Sequence, residues 1–183
     1  METITFGRRA GLHAAEHALS RANRSNGHAE AARSDAEAWV KGLLDNSAGE
    51  RPWQIRDELG QSMLENFGVF RYPERMEKQI EVIGELRARH DRGIVVEDKG
   101  SVFNSDLTQA IELGYLLDLA GVMLQAGLAR QESRGAHSRP SDFPERDDEN
   151  FLKHSITHWV DGAPQLSYAD VRMTKWEPMV RSY

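Results

Sequence analysis

The strongest constraint on the fold is a long apolar segment in the second half of the chain. Residues 106–130 have the pattern of one continuous helix, which Asn104 or Ser105 can cap. The second half of this helix is apolar on nearly every side, which predicts a central element that its neighbours cover on several sides. Because Asp118 and Gln125 would be costly in hydrocarbon, we expect a buried helix of a soluble domain and no direct membrane insertion.

Apolar spacing predicts four further helices, so the chain should be mainly α-helical. They cover residues 6–23, 31–44, 52–66 and 73–90. Pro52 and Pro73 suit the first turn of the third and fourth of these helices, because the N–H that proline lacks has no helical partner there. Apolar residues in these two helices recur along stripes of the kind found in bundles: Ile55, Leu59 and Met63, and then Met76, Ile80 and Ile83 with Arg87.

Charge and cysteine content exclude several classes of function. The formal net charge of −6 and the pI near 5.7 argue against a general nucleic-acid-binding protein, which needs a concentrated basic surface. The absence of cysteine excludes disulfides, thiolate zinc sites and an iron–sulfur cluster held by this chain alone. The N-terminal sequence METITFGRRAG has no apolar region, so we do not expect a secretory signal.

Motifs that bind cofactors or metals are weak or missing. No GxGxxG, P-loop or GxSxG motif occurs, so the sequence predicts no catalytic and no cofactor-binding residue. His13, Glu16 and His17 match the HxxEH pattern of zinc proteases, and His154 and His158 repeat the histidine spacing on another possible helix. This spacing arises easily by chance and needs a third, distant ligand, so we interpret these histidines as solvated or hydrogen-bonded and predict no metal site.

Residues 131–150 form an irregular, densely charged segment in which arginines alternate with carboxylates. A solvated loop is the ordinary interpretation of such a run. The alternating signs, together with Gly135 and the Phe143–Pro144 pair, instead favour an ordered loop held by ion pairs. Farther along, weak alternation from Tyr168 to Trp176 predicts a strand or an extended arm on the surface.

Three short sequence motifs in this part of the chain, taken together, are specific to one family. Residues 129–137 read ARQESRGAH, residues 142–150 read DFPERDDEN, and residues 152–154 read LKH. Together they resemble the signature of succinate dehydrogenase and fumarate reductase flavoproteins. L-Aspartate oxidase shares an ESRG-type loop but lacks the RDDEN-x-LKH word, so the equivalent part of that enzyme is a less favoured alternative.

The resemblance extends over nearly the whole chain. The further matching segments are FGRRAG at residues 6–11, NFGVFR at 66–71, VFNSDL at 102–107, TKWEP at 174–178 and the terminal Tyr183. The family implies that residues 1–30 are the terminal helix of a truncated FAD-binding domain, that 31–130 are a helical bundle domain, and that 131–183 are a charged loop and C-terminal tail.

The fold implied by the resemblance, and allowed by the apolar stripes, is mainly α. We expect an antiparallel three-helix bundle made by the helices within residues 52–66, 73–90 and 106–130. An extra N-terminal helix precedes the bundle, and an irregular, partly extended C-terminal tail follows it.

The resemblance also implies a function for the parent protein. The parent flavoprotein converts succinate to fumarate with reduction of FAD, and this chain is its C-terminal helical domain, not catalytic on its own. The segments that bind FAD and dicarboxylate would precede Met1, so we expect no cofactor in this chain and FAD in the parent. The implied partners are an iron–sulfur subunit and a membrane-anchor complex, with the parent at the cytoplasmic face of the membrane. A stand-alone helical protein-binding module is the alternative, and the direction of the parent reaction stays open.

By resemblance, the charged segment lies near the end of the helical domain, within reach of the flavin domain and of the iron–sulfur partner. We therefore interpret seven of its residues as partner-interface or scaffold positions: Arg134, His137, Arg139, Asp142, Arg146, Asp147 and Asp148. We expect the three arginines to form bidentate pairs with Asp142, Asp147 or Asp148. Such pairs would keep the carboxylates ionised and unsuited to act as general acids at neutral pH.

Overall fold

The structure is a computed structural model that describes residues 2–21 and 28–179. Within these residues the chain forms six helices and two strands, so the predicted mainly α fold is confirmed. The chain divides into two compact units, Met1–Gly42 and Leu43–Tyr183.

The first unit consists of helix α1 and most of helix α2. α1 spans Glu2–Ser20 and begins earlier than predicted, and none of its side chains is buried. Its predicted end at Asn23 lies outside the described residues. α2 spans His28–Asp45, and on its exposed surface Arg33 pairs with two glutamates at 2.5 and 2.6 Å. Pairs of this kind, three and four residues apart, support a helix locally but do not anchor it to anything else.

The second unit is organised around three helices that contact one another: α3 (Pro52–Asn66), α4 (Pro73–Arg92) and α5 (Ser105–Ala129). Pro52 and Pro73 occupy the first turns of α3 and α4, as predicted. Of the two candidate caps for α5, Asn104 is the cap, because its Oδ1 accepts the Leu107 N–H at 2.7 Å.

Side-chain contacts show that α3 and α4 are antiparallel. Glu58, in the first half of α3, pairs with Arg89 near the end of α4 at 2.5 Å. At the opposite end, buried Asn66 donates to buried Gln79 at 2.7 Å, and Gln79 donates in turn to the Ser62 hydroxyl at 2.8 Å. This chain of hydrogen bonds satisfies polar groups inside the bundle and fixes the register of the two helices.

α5 is antiparallel to α4. Arg87, near the end of α4, donates to the Gly114 carbonyl at 3.3 Å and pairs with Asp118. At the other end, a Cβ built on Gly127 would lie 3.8 Å from the Met76 sulfur and less than 3 Å from the Phe67 ring, so glycine is required for this close approach. The predicted antiparallel three-helix bundle is therefore confirmed.

The hydrophobic core lies between these three helices. Its members are buried apolar side chains on all three helices and on the two short connections: Ile55, Leu59, Phe67, Met76, Ile83, Leu86, Ile94, Val96, Ala110, Leu113, Leu117, Ala120 and Leu124. The predicted α4 stripe is wrong at Ile80, which is 46% exposed.

The expectation that neighbours cover α5 on several sides is only partly met. One face is buried in the bundle, whereas Tyr115, Leu116, Leu119 and Met123 on other faces are exposed. By length and composition, α5 is the helix among the described residues that could cross a membrane, with a mean hydropathy of 1.3. Its buried face packs in the core of the bundle, whereas part of its remaining apolar surface stays exposed.

After the charged segment, a short helix α6 (Asp148–Phe151) leads into a β-hairpin that the sequence interpretation missed. β1 (Lys153–Val160) pairs antiparallel with β2 (Ala163–Asp170). Asp161 and Gly162 both have positive φ, which is what a two-residue hairpin turn demands. Of the strand or extended arm predicted from Tyr168 to Trp176, the strand reaches only to Asp170, where regular pairing ends.

The hairpin also corrects the position of two histidines. His154 and His158 lie on β1, not on a helix. Residues four apart on a strand are separated by about 13 Å, at roughly 3.3 Å per residue. They are therefore too far apart to bind one metal ion together.

Candidate functional site

The charged segment after α5 is folded back onto the end of that helix by Arg139. Arg139 is 3% exposed, and its guanidinium donates to the carbonyls of Leu128 at 2.7 Å and Arg130 at 3.3 Å. The last carbonyls of a helix have no partner within the helix and carry partial negative charge, so an arginine satisfies them both by hydrogen bonding and by charge. Arg139 also forms the predicted bidentate pair with Asp142, with Nε to Oδ1 at 3.1 Å.

The centre of the segment is Glu132, whose side chain is completely buried. Its carboxylate accepts Nη1 of Arg130 at 2.5 Å and Nε and Nη2 of Arg134 at 2.8 and 2.9 Å. It also accepts the backbone N–H of Asp147 at 2.9 Å, from the far end of the loop. A buried carboxylate is tolerated only with such a full set of donors. Glu132 therefore ties the start of the segment to its end.

A second carboxylate, Asp148, extends this network outward. It accepts Nη2 of Arg134 at 2.6 Å and Nη2 of Arg146 at 2.6 Å. Arg146 also donates to the Met179 carbonyl at 2.8 Å, which attaches the C-terminal tail. Arg134 is thus shared between two carboxylates, and its bidentate partner is Glu132 where the sequence predicted an aspartate.

Asp147 has a different role from the predicted one. Among the described residues, its carboxylate bonds to Asn150, from the backbone N–H at 2.9 Å and from the side-chain amide at 2.9 Å. The Asp147 carboxylate therefore caps the short helix α6 and pairs with no arginine side chain among the residues that the structure describes.

The pKa shifts in this network follow from its contacts. Burial raises the pKa of Glu132, but the hydrogen bonds from Arg134, the Asp147 backbone and Arg130 outweigh it, and the net shift is downward. Hydrogen bonds from Asn150 lower the pKa of Asp147, and the bond from Arg134 lowers that of Asp148. These three carboxylates are ionised at neutral pH, so none of them suits a general acid.

His137 is held in a neutral form beside this network. Its Nε2 donates to the Arg130 carbonyl at 3.1 Å, and its Nδ1 accepts Nη1 of Arg71. Burial lowers the pKa of His137, the Arg130 carbonyl opposes this shift, and the charges of Arg71, Arg139 and Arg130 add to the lowering. The imidazole therefore acts as a fixed connector between the loop and Arg71, which follows α3.

Three residues of this site were not among the sequence candidates: Arg71, Arg130 and Glu132. Arg71 lies 66 residues before His137, and no spacing rule relates such distant positions. Glu132 and Arg130 are only two residues apart, but the sequence gives no sign that one carboxylate among many would be completely buried. The one available signal was position, since both stand directly after the end of the apolar helix.

Two clefts open on either side of His137. The first, about 230 Å³, is lined by Phe67, Arg71, Met123, Ala126, Gly127, Arg130, His137 and Ser155. The second, about 360 Å³, is lined by Arg130, Arg134, His137, Phe151, Leu152, Lys153, His154 and Val171. Neither set includes a carboxylate. The site thus combines a rigid ionic scaffold with two basic clefts, and it contains no acid–base pair poised for catalysis.

Comparison with known proteins relates the chain to one family. Residues 56–183 match the family described as Fumarate reductase flavoprotein C-term. The whole chain is 42% identical to the fumarate reductase flavoprotein subunit of Escherichia coli and 35% identical to that of Mycobacterium tuberculosis. The chain spans only 30% and 32% of the lengths of these relatives.

Solved structures agree with the sequence matches. A quinol fumarate reductase chain from E. coli superposes with a TM-score of 0.87 at 42% identity, covering 95% of this chain and 30% of that one. A Mycobacterium smegmatis Sdh1 chain gives a TM-score of 0.75 at 31% identity, over 90% of this chain and 27% of the other. These matches do not favour L-aspartate oxidase or a stand-alone module.

Proposed function

Since the chain belongs to the fumarate reductase and succinate dehydrogenase flavoprotein family and matches its C-terminal part, we propose that it serves as the helical scaffold of a flavoprotein subunit that interconverts fumarate and succinate. The observation that carries this proposal is the 42% identity over the whole chain, together with the same fold at a TM-score of 0.87.

FAD is the cofactor that we propose for the complete subunit, where it would exchange a hydride equivalent with the dicarboxylate. The residues present here do not fit FAD. A dinucleotide pyrophosphate needs a glycine-rich turn from a strand into a helix. The two strands in the described part of the chain instead join each other directly through Asp161 and Gly162. We therefore assign no step of the reaction to this chain.

What this chain would contribute is a rigid surface. Arg139 closes the end of α5, and Glu132 gathers both ends of the charged segment. Fixed geometry of this kind is what a neighbouring domain needs in order to keep a reactive site within tenths of an ångström of its productive arrangement. Arg134, Arg146 and Asp148 stiffen the same surface, so we retain the seven candidate residues as scaffold or interface positions.

The proposal extends to the assembly and its location. We propose an iron–sulfur subunit as the electron-transfer partner and a membrane-anchor complex beyond it, at the cytoplasmic face of the membrane. A relative of known structure is described as a quinol fumarate reductase, which supports a quinone-linked complex. We also keep the boundaries 1–30, 31–130 and 131–183 as the proposed division between flavin-domain helix, bundle and tail.

A chimeric subunit tests the proposed function. This chain would replace the matching 30% of the E. coli fumarate reductase flavoprotein subunit, and the chimera would be co-expressed with that enzyme's own partner subunits. We expect it to assemble, retain flavin and reduce fumarate at a rate within about tenfold of the parent. A chimera that folds and retains flavin but has no fumarate reductase activity would contradict the proposal.

A further inference from the structure

The basic character of the two clefts contrasts with the rest of the chain. The chain has a net charge of −6, yet arginine and histidine line both clefts, with lysine in the second, and no carboxylate lines either one. In the second cleft, the charges of Arg130 and Arg134 are already matched by buried Glu132. In the first cleft, no carboxylate in the described part of the chain matches the charge of Arg71 in this way. The first cleft therefore lacks an anionic group that would balance the charge of Arg71.

Arg71 is held in a fixed position in the first cleft. It is partly buried, its Nε donates to the Gly68 carbonyl at 3.2 Å, and its guanidinium stacks on the Phe67 ring at 4.0 Å. Its Nη1 donates to Nδ1 of His137, whereas its Nη2 makes no hydrogen bond to any described residue. No carboxylate of the described residues lies within 4.0 Å, and burial lowers the pKa of Arg71. A partly desolvated guanidinium gains most from a carboxylate partner.

The surface beside Arg71 is apolar. Leu116, Leu119 and Met123 follow one another on α5 at helical spacing and are 38%, 57% and 50% exposed. Met123 also lines the first cleft, so this apolar stripe ends at the arginine. An exposed apolar stripe next to a positioned arginine is typical of a protein–protein contact, where arginine and methionine are enriched and arginine is often among the residues that contribute most to binding. A small free anion would not cover such a stripe.

We propose that the first cleft, together with the α5 stripe, docks an acidic segment from the remaining part of the flavoprotein subunit, whose carboxylate pairs with Arg71. This inference rests on the proposed function. The occupant follows from charge and length: the site lacks a carboxylate, and 70% of the length of the E. coli fumarate reductase relative lies outside the region that this chain matches. His137 orients Arg71 toward the carboxylate, because its neutral Nδ1 can only accept.

Chemical modification of the unaltered protein tests the docking site. Phenylglyoxal, which reacts with accessible guanidinium groups, would be applied to the isolated chain and to the chimeric subunit, with mass spectrometry to locate the product. Arg75 is the internal control, because it is exposed, lies on the adjoining turn of α4 and lines neither cleft. We expect Arg71 to react at least tenfold more slowly in the chimera than in the isolated chain, and Arg75 to react equally in both.

The outcomes separate the docking site from the proposed function. An active, flavin-containing chimera in which Arg71 stays as reactive as in the isolated chain contradicts the docking site alone. A chimera that protects Arg71 but has no activity contradicts the proposed function alone. Acetate and inorganic phosphate are the small-anion probes. Saturable protection of Arg71 by either one in the isolated chain at sub-millimolar concentration would make this a small-anion site and overturn the docking proposal.

A charge reversal gives an independent measurement. Arg71→Glu should lower the yield of assembled, flavin-containing chimera by about tenfold or more, because a carboxylate would face a carboxylate in the interface. Arg75→Glu, which introduces the same charge change nearby, should leave the yield within about twofold. Thermal unfolding of both isolated variants identifies any loss of folded chain, and the yields are corrected for it. Equal yields for the two variants would overturn the proposal.

Discussion

Helix α1 and the charged segment at residues 131–150 differ in a way that reverses the usual expectation. α1 is regular throughout, yet none of its side chains is buried, and Ile4, Phe6 and Leu19 are 75%, 59% and 89% exposed. The charged segment has almost no regular structure, yet it buries Glu132 completely and Arg139 almost completely. Regular backbone conformation and tertiary order are therefore separate properties in this protein.

The difference between α1 and the charged segment follows from which groups their hydrogen bonds join. In α1 they stay within the helix, so the helix can form or melt with little consequence for other residues. In the charged segment, Glu132 and Arg139 bond to groups at both ends of the loop and to the end of α5. Removing one partner leaves a buried charge without compensation, which is among the most costly single changes in a folded protein.

The largest expected effect is that of Glu132→Gln. The amide would face Arg130 and Arg134 without a negative charge, and its NH₂ group would oppose one of the donors. Breaking a buried ion network in this way costs about 3–5 kcal/mol. Urea unfolding of the isolated chain measures it, with Glu145→Gln as the matched control because Glu145 is an exposed glutamate of the same loop.

If Glu132→Gln changed the free energy of unfolding no more than Glu145→Gln does, the contrast between α1 and the charged segment would be lost. The segment would then be a solvated loop, as its composition first suggests. If Glu132→Gln lowered the free energy of unfolding more than Glu145→Gln does, the completely buried Glu132 would be established as the centre of the charged segment.

A smaller effect is expected for Arg134→Ala. This change removes one bidentate partner of Glu132 and one of the two partners of Asp148, but Arg130 and the Asp147 backbone still compensate Glu132. We expect a loss of about 1–3 kcal/mol in the free energy of unfolding. In the chimera, turnover per bound flavin should be unchanged. A fall in turnover by orders of magnitude with normal assembly would show that the segment takes part in the chemistry.

The pH dependence of stability should come from the same segment. The pKa of His137 in the folded chain is below its ordinary 6.5, so below that pH the unfolded chain binds more protons and stability falls. The pKa values of Glu132 and Asp148 are below 4.5 and 3.8, so the stability that they provide is present above these values and is lost as pH falls through their folded pKa.

We therefore expect a free energy of unfolding that is nearly constant above pH 7, declines gently below about 6.5 and declines steeply below about 4.5. Urea titrations at successive pH values measure this curve. His137→Gln keeps a side-chain donor for the Arg130 carbonyl and should remove the first decline only. A curve that rises on acidification between pH 7 and pH 5 would contradict the assigned direction of the His137 shift.

The sequence predicted the bundle well because local rules decide it. Proline at the first turns of α3 and α4, the Asn104 cap and the four-residue spacing of Ile55 and Leu59 all agree with one another, and tertiary packing did not override them. The error at Ile80 has a physical reason. Its position belongs to the edge of the stripe, and only the actual crossing of α4 and α5 decides which edge is covered.

The hairpin was missed although its signal was present. Asp161-Gly162 is the strongest short-range indication of a two-residue turn, and it stands between two segments of equal length. The alternation in those segments is weak because much of the hairpin is exposed, so apolar spacing gave little guidance. The centre of the charged site was missed for another reason: burial of Glu132 depends on three donors brought together by the folded loop, and composition does not encode that.

The smallest expected effect, and the one that links the contrast to function, is that of Phe6→Ala in α1. In the isolated chain Phe6 is 59% exposed, and alanine is the better helix former, so the free energy of unfolding should change by no more than about 0.5 kcal/mol. Leu117→Ala, at a side chain that is 1% exposed on α5, is the control and should cost about 2–5 kcal/mol. In the chimera we expect the difference between these two substitutions to be smaller, because the family resemblance puts the Phe6 face against the flavin domain. Phe6→Ala should therefore lower the midpoint of thermal unfolding of the assembled subunit. A change in the chimera as small as that in the isolated chain would mean that α1 is a surface helix in the complete protein too, and the proposed assignment of residues 1–30 to the flavin domain would be wrong.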